Sequence, residues 1–508
     1  MKPQNLKTSK PNKYMNYGQF LNMIPEATLV LALIIVFCAD FALHKSQRKN
    51  FTLGVLTGTL LLCQLVPCFI AWPTEAFGGI YVSTPISNVM KTILTAGTFI
   101  VVVMSQAWIA SPTRSEEGDT KPMRYAGEYY MLLLSTLLGM YMMLSSGSFL
   151  MFFLGLEMAS VPMACLVAFD KRKKDSAEAA AKYILMATFS SGVMLFGISF
   201  IYAATGTLYF DNVAVQLSTL NSQLSTLSIL GMVFFFSGLG FKISLVPFHF
   251  WTADTYQGAP TPVTGYLSVV SKGAATLTLT IILVKVFGSM VAWWQPLLWV
   301  VIMLTITIGN LMAIRQTELK RFMAFSSISQ AGYIMLAVIG ANPAASQTAL
   351  TFYVLVYVVA NMAVFSVISA VEHRAGGGTQ ISAYNGLYQS NPKLAFLMTI
   401  ALFSLGGIPP FAGMFSKFFV FMAGVNGQEQ APFWPYFVVF IALINTVISL
   451  YYYLLIVKAM YITKEEHPLS TFRHGPAINA ALAICTVGIV LFGVCSCVYE
   501  WIANAAGM

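Results

Sequence analysis

Apolar runs about 20 residues long recur from near the N-terminus of this 508-residue chain to its end, separated by short polar loops. A helix needs about 20 apolar residues to cross the hydrocarbon core of a bilayer. The runs lie at 23–43, 51–72, 88–111, 128–146, 148–169, 178–205 and 226–256, then at 261–286, 293–314, 320–340, 344–371, 392–425, 433–462 and 476–502. The expected fold is therefore an all-α polytopic membrane protein of fourteen transmembrane helices. With 57% hydrophobic and only 9% charged residues, against roughly 25% charged in ordinary globular domains, no water-soluble catalytic domain fits between the spans. Any chemistry belongs at membrane depth or in short loops.

The net charge of +9 does not form a basic stripe, so nucleic acid is not an expected partner; membrane lipid is. Fourteen spans put both termini on one side, and the lysines and arginines then divide sharply between alternate loops. One side collects Lys45, Arg48 and Lys49, then Arg114, Lys121 and Arg124, then Lys171, Arg172, Lys173 and Lys174. It also takes Arg315, Lys320 and Arg321, then Arg374 and Lys393, then Lys464 and Arg473. Lys91 and the tail lysines Lys2, Lys7, Lys10 and Lys13 stand opposite. The lysine-rich side is expected to be cytoplasmic, with both termini periplasmic in a bacterial inner membrane. The polar stretch 1–22 is then an extracytoplasmic tail, and the apolar run after it a first span with no small-residue cleavage site. Cys38, Cys63, Cys68, Cys165, Cys485, Cys495 and Cys497 all sit in apolar runs without a CxxC pair. Iron-sulfur, zinc and disulfide frameworks are accordingly not expected.

Charges inside spans each cost a few kcal/mol unless paired or hydrated. Lys285 ends its span and can snorkel to the interface, and Lys182 has Glu178 four residues before it as an i,i+4 partner. Glu157 in LGLEMAS, Lys242 in GLGFKISLVPFHFW, Lys272 in GYLSVVSKGAATLTL and Lys417 in GGIPPFAGMFSKFFV have no such account. The first three fall near mid-membrane. Lys242 and Lys417 also lie in over-long spans interrupted by Pro247 and by Pro409 and Pro410, which predicts two broken helices. These are the seventh and twelfth spans. A five-span repeat, fourth to eighth and ninth to thirteenth, brings them into register, and the odd number inverts the second copy. The expected organisation is three N-terminal spans (23–127), a first repeat (128–286), a second, inverted repeat (293–462) and a last span (476–508). A buried lysine beside a carboxylate that approaches and withdraws is a proton switch; the plainer alternative is a set of static polar contacts between helices.

GEYYMLLLSTLLGMYMM, FLGLEMASVPM, AAAKYILMATFSSG, GLGFKISLVPFHFWTADTYQGAPTPVTGYLSVVSK and LAFLMTIALFSLGGIPPFAGMFSKF resemble the antiporter-like membrane subunits of respiratory complex I and of multisubunit sodium/proton antiporters. The likeness runs from about Glu128 to Lys458. QGAP followed by VSK, lysine at 417 and the absence of a long C-terminal extension are most similar to one complex I branch; others would carry glutamate at 417 or a further amphipathic helix. The basic tail and the run Gly376 to Gly378 are not features of the resemblance. It implies that Glu157 and Lys242 form a coupled pair, that Lys272 relays and that Lys417 is the exit group. Lys182 with Glu178 would modulate, while His249 and Asp254 would connect the chain to water. It further implies proton translocation driven by redox chemistry in partner subunits, among them further antiporter-like ones. No cofactor is expected on this chain: flavin, iron-sulfur clusters and quinone would belong to the partners, since Gly376 to Gly378 lies between membrane helices and not after a strand as a nucleotide-cradling loop would. A cation/proton antiporter subunit, or a hydrogenase-linked relative, is the alternative.

Overall fold

The computed structural model describes residues 17–43, 46, 48–110, 113–114, 120–121, 125–171, 173–219, 222–340, 342–372, 378–425, 433–463, 469, 471–472 and 475–507. The tail lysines, Lys45, Arg124, Arg172, Arg374, Lys464, Arg473 and Gly376 lie outside the described residues. Among the described residues, twelve helices are long and apolar enough to cross a membrane. The first three are α1 (Ile24–Ala42), α2 (Lys49–Ile70) and α3 (Pro85–Ala110). Between α2 and α3 a short hairpin pairs β1 (Thr74–Ala76) with β2 (Tyr81–Ser83).

Next come α4 (Ala126–Leu144), α5 (Phe149–Val167) and α6 (Lys174–Thr205). Helix α4 is one of the two expected spans missing from the twelve: Glu128, Tyr129 and Tyr130 at its start dilute its apolar content. A short amphipathic helix that the sequence did not suggest, α7 (Phe210–Thr219), precedes α8 (Ser222–Ile243). The seventh expected span breaks as its proline requires, continuing after a cis Val246–Pro247 bond as α9 (Trp251–Gly258). The eighth is α10 (Thr261–Tyr266), one π-helical turn over Leu267–Ser271, and α11 (Lys272–Lys285).

The chain continues with α12 (Val291–Ile314), α13 (Leu319–Leu336) and α14 (Pro343–Glu372). After the four-residue α15 (Leu387–Ser390), the twelfth expected span is α16 (Pro392–Gly406) and α17 (Ala412–Val425), each too short to cross alone. Between them lie Gly407 at φ +87 and a cis Pro409–Pro410 bond. Helices α18 (Phe433–Tyr461) and α19 (Pro476–Val494) follow. The last expected span, 476–502, is not continuous: it ends at Val494, and α20 (Cys497–Gly507) forms a separate helix.

In both halves the first two helices pack on each other, α4 on α5 and α12 on α13. The third packs on the broken one, α6 on α8 and α9, α14 on α16 and α17. Small residues set these distances, as van der Waals packing requires where no hydrophobic drive exists between helices in lipid. A Cβ on Gly139 would stand 2.4 Å from the Ala159 nitrogen, and one on Gly197 2.6 Å from the Phe235 nitrogen. Loops expected on one side meet there. Ser146 bridges Tyr81 and Ser148 bridges Tyr209 at one end, while Glu318 bridges Gln380 and Lys173 pairs with Glu372 at the other.

Candidate functional site

Each proline break leaves backbone groups that lipid cannot satisfy, and neighbouring helices supply the partners. At the first break Val246 N donates to Thr305 Oγ1 of α12 at 3.0 Å, and Trp251 Nε1 to the Phe241 carbonyl at 3.0 Å. At the second, Gly413 N donates to Ser404 Oγ at 3.2 Å and Gln330 Nε2 of α13 to the Leu405 carbonyl at 3.4 Å.

Both breaks place a lysine at the carbonyl end of a half-helix, where the helix dipole favours a cation. Lys242 occupies the last turn of α8. Lys417 reaches back from α17 so that Nζ donates to the Gly406 carbonyl, the end of α16, at 3.1 Å. Both side chains are buried. Lys242 Nζ donates to Ser160 Oγ at 2.9 Å and to the Tyr183 hydroxyl at 3.3 Å. Ser160 lies one turn beyond Glu157 on α5. Glu157 is therefore near the amine but makes no ion pair with it, and its Oε1 is buried without a hydrogen bond from the described residues. The expected pair is thus an amine held by two neutral hydroxyls with a carboxylate one helical turn away.

Lys272 opens α11 directly after the π-helical turn. Its Nζ donates to Ser327 Oγ at 2.8 Å and lies 5.6 Å from the Tyr256 ring centroid, while the Tyr256 hydroxyl stands 3.3 Å from Ser327 Oγ. Helix α13, buried along its length except at Arg321, links the halves. Beyond Ser327 it presents Ser326, bonded to the Tyr453 hydroxyl at 2.6 Å, and Gln330, which donates to the same hydroxyl at 3.2 Å and accepts a short bond from Tyr353. Tyr333 then offers its ring face to Lys417 Nζ, 4.9 Å from the centroid. Lys417, Gln330, Tyr353 and Ser416 border a cavity of about 10 Å³, the room of about one water.

At the end of the bundle that carries the basic loops, Lys182 Nζ pairs with Glu178 Oε1 at 2.7 Å and with Asp254 Oδ2 at 2.9 Å; Arg321 Nη1 pairs with Asp254 Oδ1 at 2.6 Å. The i,i+4 partner foreseen for Lys182 is present, and Asp254 adds a tie across α6, α9 and α13. Asp175, Glu178, Lys182, Asp254 and Gln257 line an open cavity of about 170 Å³. Tyr183, next in sequence to Lys182, is the inward neighbour that touches Lys242. His249 is buried against Phe250, ring centroids 4.5 Å apart, with Nδ1 taking no hydrogen bond from the described residues.

Three charged residues depart from their sequence reading. Lys320 and Arg321, taken as loop charges, are respectively buried on the Ala259 carbonyl at 2.7 Å and paired with Asp254. Lys91, also taken as a topology charge, is fully buried in an ion pair with Glu26, which the sequence reading passed over. Lys285 does sit at its helix end, paired with Asp211 at 2.8 Å and partly exposed.

Residues 146–449 match the family described as NADH:quinone oxidoreductase/Mrp antiporter, transmembrane. NADH-quinone oxidoreductase subunit N of Phocaeicola vulgatus is 53% identical over 97% of this chain and 100% of its own length. The protein of that name from Azobacteroides pseudotrichonymphae is 49% identical over 96% of this chain and 98% of its own. Among solved structures, a chain of respiratory complex I from Thermus thermophilus with bound aureothin aligns with a TM-score of 0.74 and 29% identity, covering 92% of this chain and 97% of that one.

Proposed function

Since this chain belongs to the NADH:quinone oxidoreductase/Mrp antiporter membrane family, we propose that it is a proton-translocating membrane-arm subunit of an NADH:quinone oxidoreductase. It works beside other antiporter-like subunits. The redox chemistry belongs to partners, which carry flavin, iron-sulfur clusters and quinone, and this chain contributes proton transfer alone. The reading extends to fourteen spans in a bacterial inner membrane, with both termini periplasmic and an inverted pair of five-span repeats. Helices α4 to α11 form one repeat and α12 to α18 the other.

One observation carries it: two buried lysines stand at the carbonyl ends of two broken helices, and a third, Lys272 of α11, stands between them against the hydroxyl-rich helix α13. Protons arrive through the cavity beside Lys182, Glu178 and Asp254 and reach Lys242 by way of Tyr183. His249, buried beside the first break, helps connect that cavity to the chain. When Glu157 draws close to the amine, the charged form of Lys242 is favoured; when it withdraws, burial favours release. Lys272 passes the proton along α13 to Lys417. In vesicles containing the assembled complex, Lys242→Ala is expected to assemble and to pump at least about tenfold more slowly, the scale of a lost proton-transfer group. Near wild-type pumping would remove Lys242 from the chain of carriers.

A further inference from the structure

The ion pair Lys91–Glu26 lies outside the helices that form the central chain, in the three N-terminal spans. Lys91 Nζ and Glu26 Oε1 are 2.6 Å apart and both side chains are buried. Glu26 also accepts from the Tyr81 hydroxyl at 2.9 Å and from Ser145 Oγ at 3.3 Å. Its oxygens are thus well supplied. Among the described residues the amine has no second oxygen partner, and it lies between two aromatic faces, 5.6 Å from the centroids of Tyr81 and Tyr141.

A buried ion pair seldom stabilises a fold more than apolar packing of the same volume would, so holding α1 to α3 is a weak reason for this one. The surroundings supply a different reason. The Tyr141 hydroxyl bonds to Thr95 through a short contact and to Cys68 Sγ at 3.1 Å. Cys68 forms part of the wall of a cavity of about 170 Å³ beneath α20, whose other polar walls are Asn88, Thr92 and Asn504 and which Trp501, stacked on Phe69 at 5.5 Å, borders. Its volume is ample for several waters. It lies where α2 ends and α3 begins, the end of the bundle that carries the hairpin and is opposite the basic loops.

We propose that Glu26 and Lys91 form a second proton-exchange site, off the central chain and connected to the hairpin side of the membrane through Tyr141, Cys68 and the cavity beneath α20. The titratable groups facing the pair are Cys68 from α2, Tyr81 from β2 and Tyr141 from α4. A hydronium ion in the cavity gives a proton to Cys68 and is left as water, while Cys68 passes its own proton on to Tyr141. Each relay group gains one proton and loses one. The Lys91 ammonium leaves one proton on a Glu26 oxygen, making a neutral acid that Tyr81 and Ser145 still hold, and its neutral amine, swung toward Tyr141, takes that hydroxyl's proton in exchange; return of the amine reverses the steps. The part this site plays in turnover rests on the proton-translocating reading above, whereas the exchange itself does not.

The test is infrared difference spectroscopy of the assembled complex in lipid without NADH, so that a failure of pumping cannot mask the outcome. The expected wild-type result is a protonated-carboxyl absorption that grows as pH falls and is missing in Glu26→Gln. In Lys91→Met the acid loses its cation and the absorption should persist at every pH. Identical titrations for wild type and Glu26→Gln would overturn the proposal. Ala505→Trp, which fills the cavity without touching the pair, keeps the test decisive should a charge variant fail to assemble. It should slow hydrogen-deuterium exchange of the carboxyl by about an order of magnitude, and an unchanged rate would overturn the route.

Discussion

A protonated amine whose hydrogen-bond partners are a serine and a tyrosine, as Lys242 is, can lose its proton and keep its place, because the hydroxyls can turn to donate instead. Lys272 keeps that freedom on Ser327 Oγ, although it also donates to the Ser327 carbonyl at 3.3 Å, which can only accept. Lys417 differs, since its oxygen partner is a carbonyl that can only accept and its remaining contact is the Tyr333 ring. Arginine at 417 would satisfy both, but its guanidinium does not deprotonate in proteins. Lys417→Arg is therefore expected to assemble and to pump at least about tenfold more slowly; full pumping in reconstituted vesicles would mean that Lys417 carries no proton. The lysines were legible because a charge inside an apolar run has no inexpensive explanation. Their hydroxyl partners were not. Ser160 also donates to the Leu156 carbonyl at 2.7 Å and Ser327 to the Ala324 carbonyl at 2.9 Å, so each looks in sequence like an ordinary helix serine serving its own backbone. Lys91 failed for the opposite reason: it stands seven residues into α3, close enough to a loop to pass as a topology charge, and its partner Glu26 is 65 residues away.

Two of the helices act in pieces, and the pieces meet without slack. Where α16 gives way to α17, a Cβ on Gly413 would stand 1.7 Å from the Ser404 carbonyl oxygen, a backbone atom that cannot step aside. Gly413→Ala must then part the two half-helices or unwind one, at a cost of about 3 kcal/mol. It is expected to lower the yield of assembled complex, measured by native gel and by heat stability of what does assemble; a variant as stable as wild type would mean that the break is loose. The breaks themselves could be read from the prolines and from runs too long for one helix. The two helices beyond expectation could not. Helix α7 is only 10 residues long and its apolar face is closed by Phe210 and Val213, too short a pattern to separate from a polar loop. The interruption at Cys495 follows an unbroken apolar stretch, so hydropathy ran through it and joined α20 to the span before.

For the whole molecule, charge divides between the two ends of the bundle. The bonds that Lys173 makes to Glu372, Arg321 to Asp254 and Lys182 to Glu178 all lie at the end where the basic loops gather. The hairpin, the Lys285–Asp211 pair and α20 occupy the other. Lysine and arginine are retained on the cytoplasmic side during insertion, so the cavity beside Asp254 should draw protons from the cytoplasm, and the cavity beneath α20 should face the periplasm. Cysteine labelling tests this directly. In a background where the exposed cysteines Cys38, Cys63, Cys165 and Cys497 are replaced by serine, Ser289→Cys, exposed at the turn before α12, should react with a membrane-impermeant maleimide added to intact cells. Lys173→Cys, exposed in the loop before α6, should react only after the cells are opened. The reverse pattern would turn the whole molecule over in the membrane, making the Lys182 cavity an outlet and the Cys68 cavity an inlet. Reaction of both sites in intact cells would mean that these two ends do not lie on opposite faces of the bilayer at all.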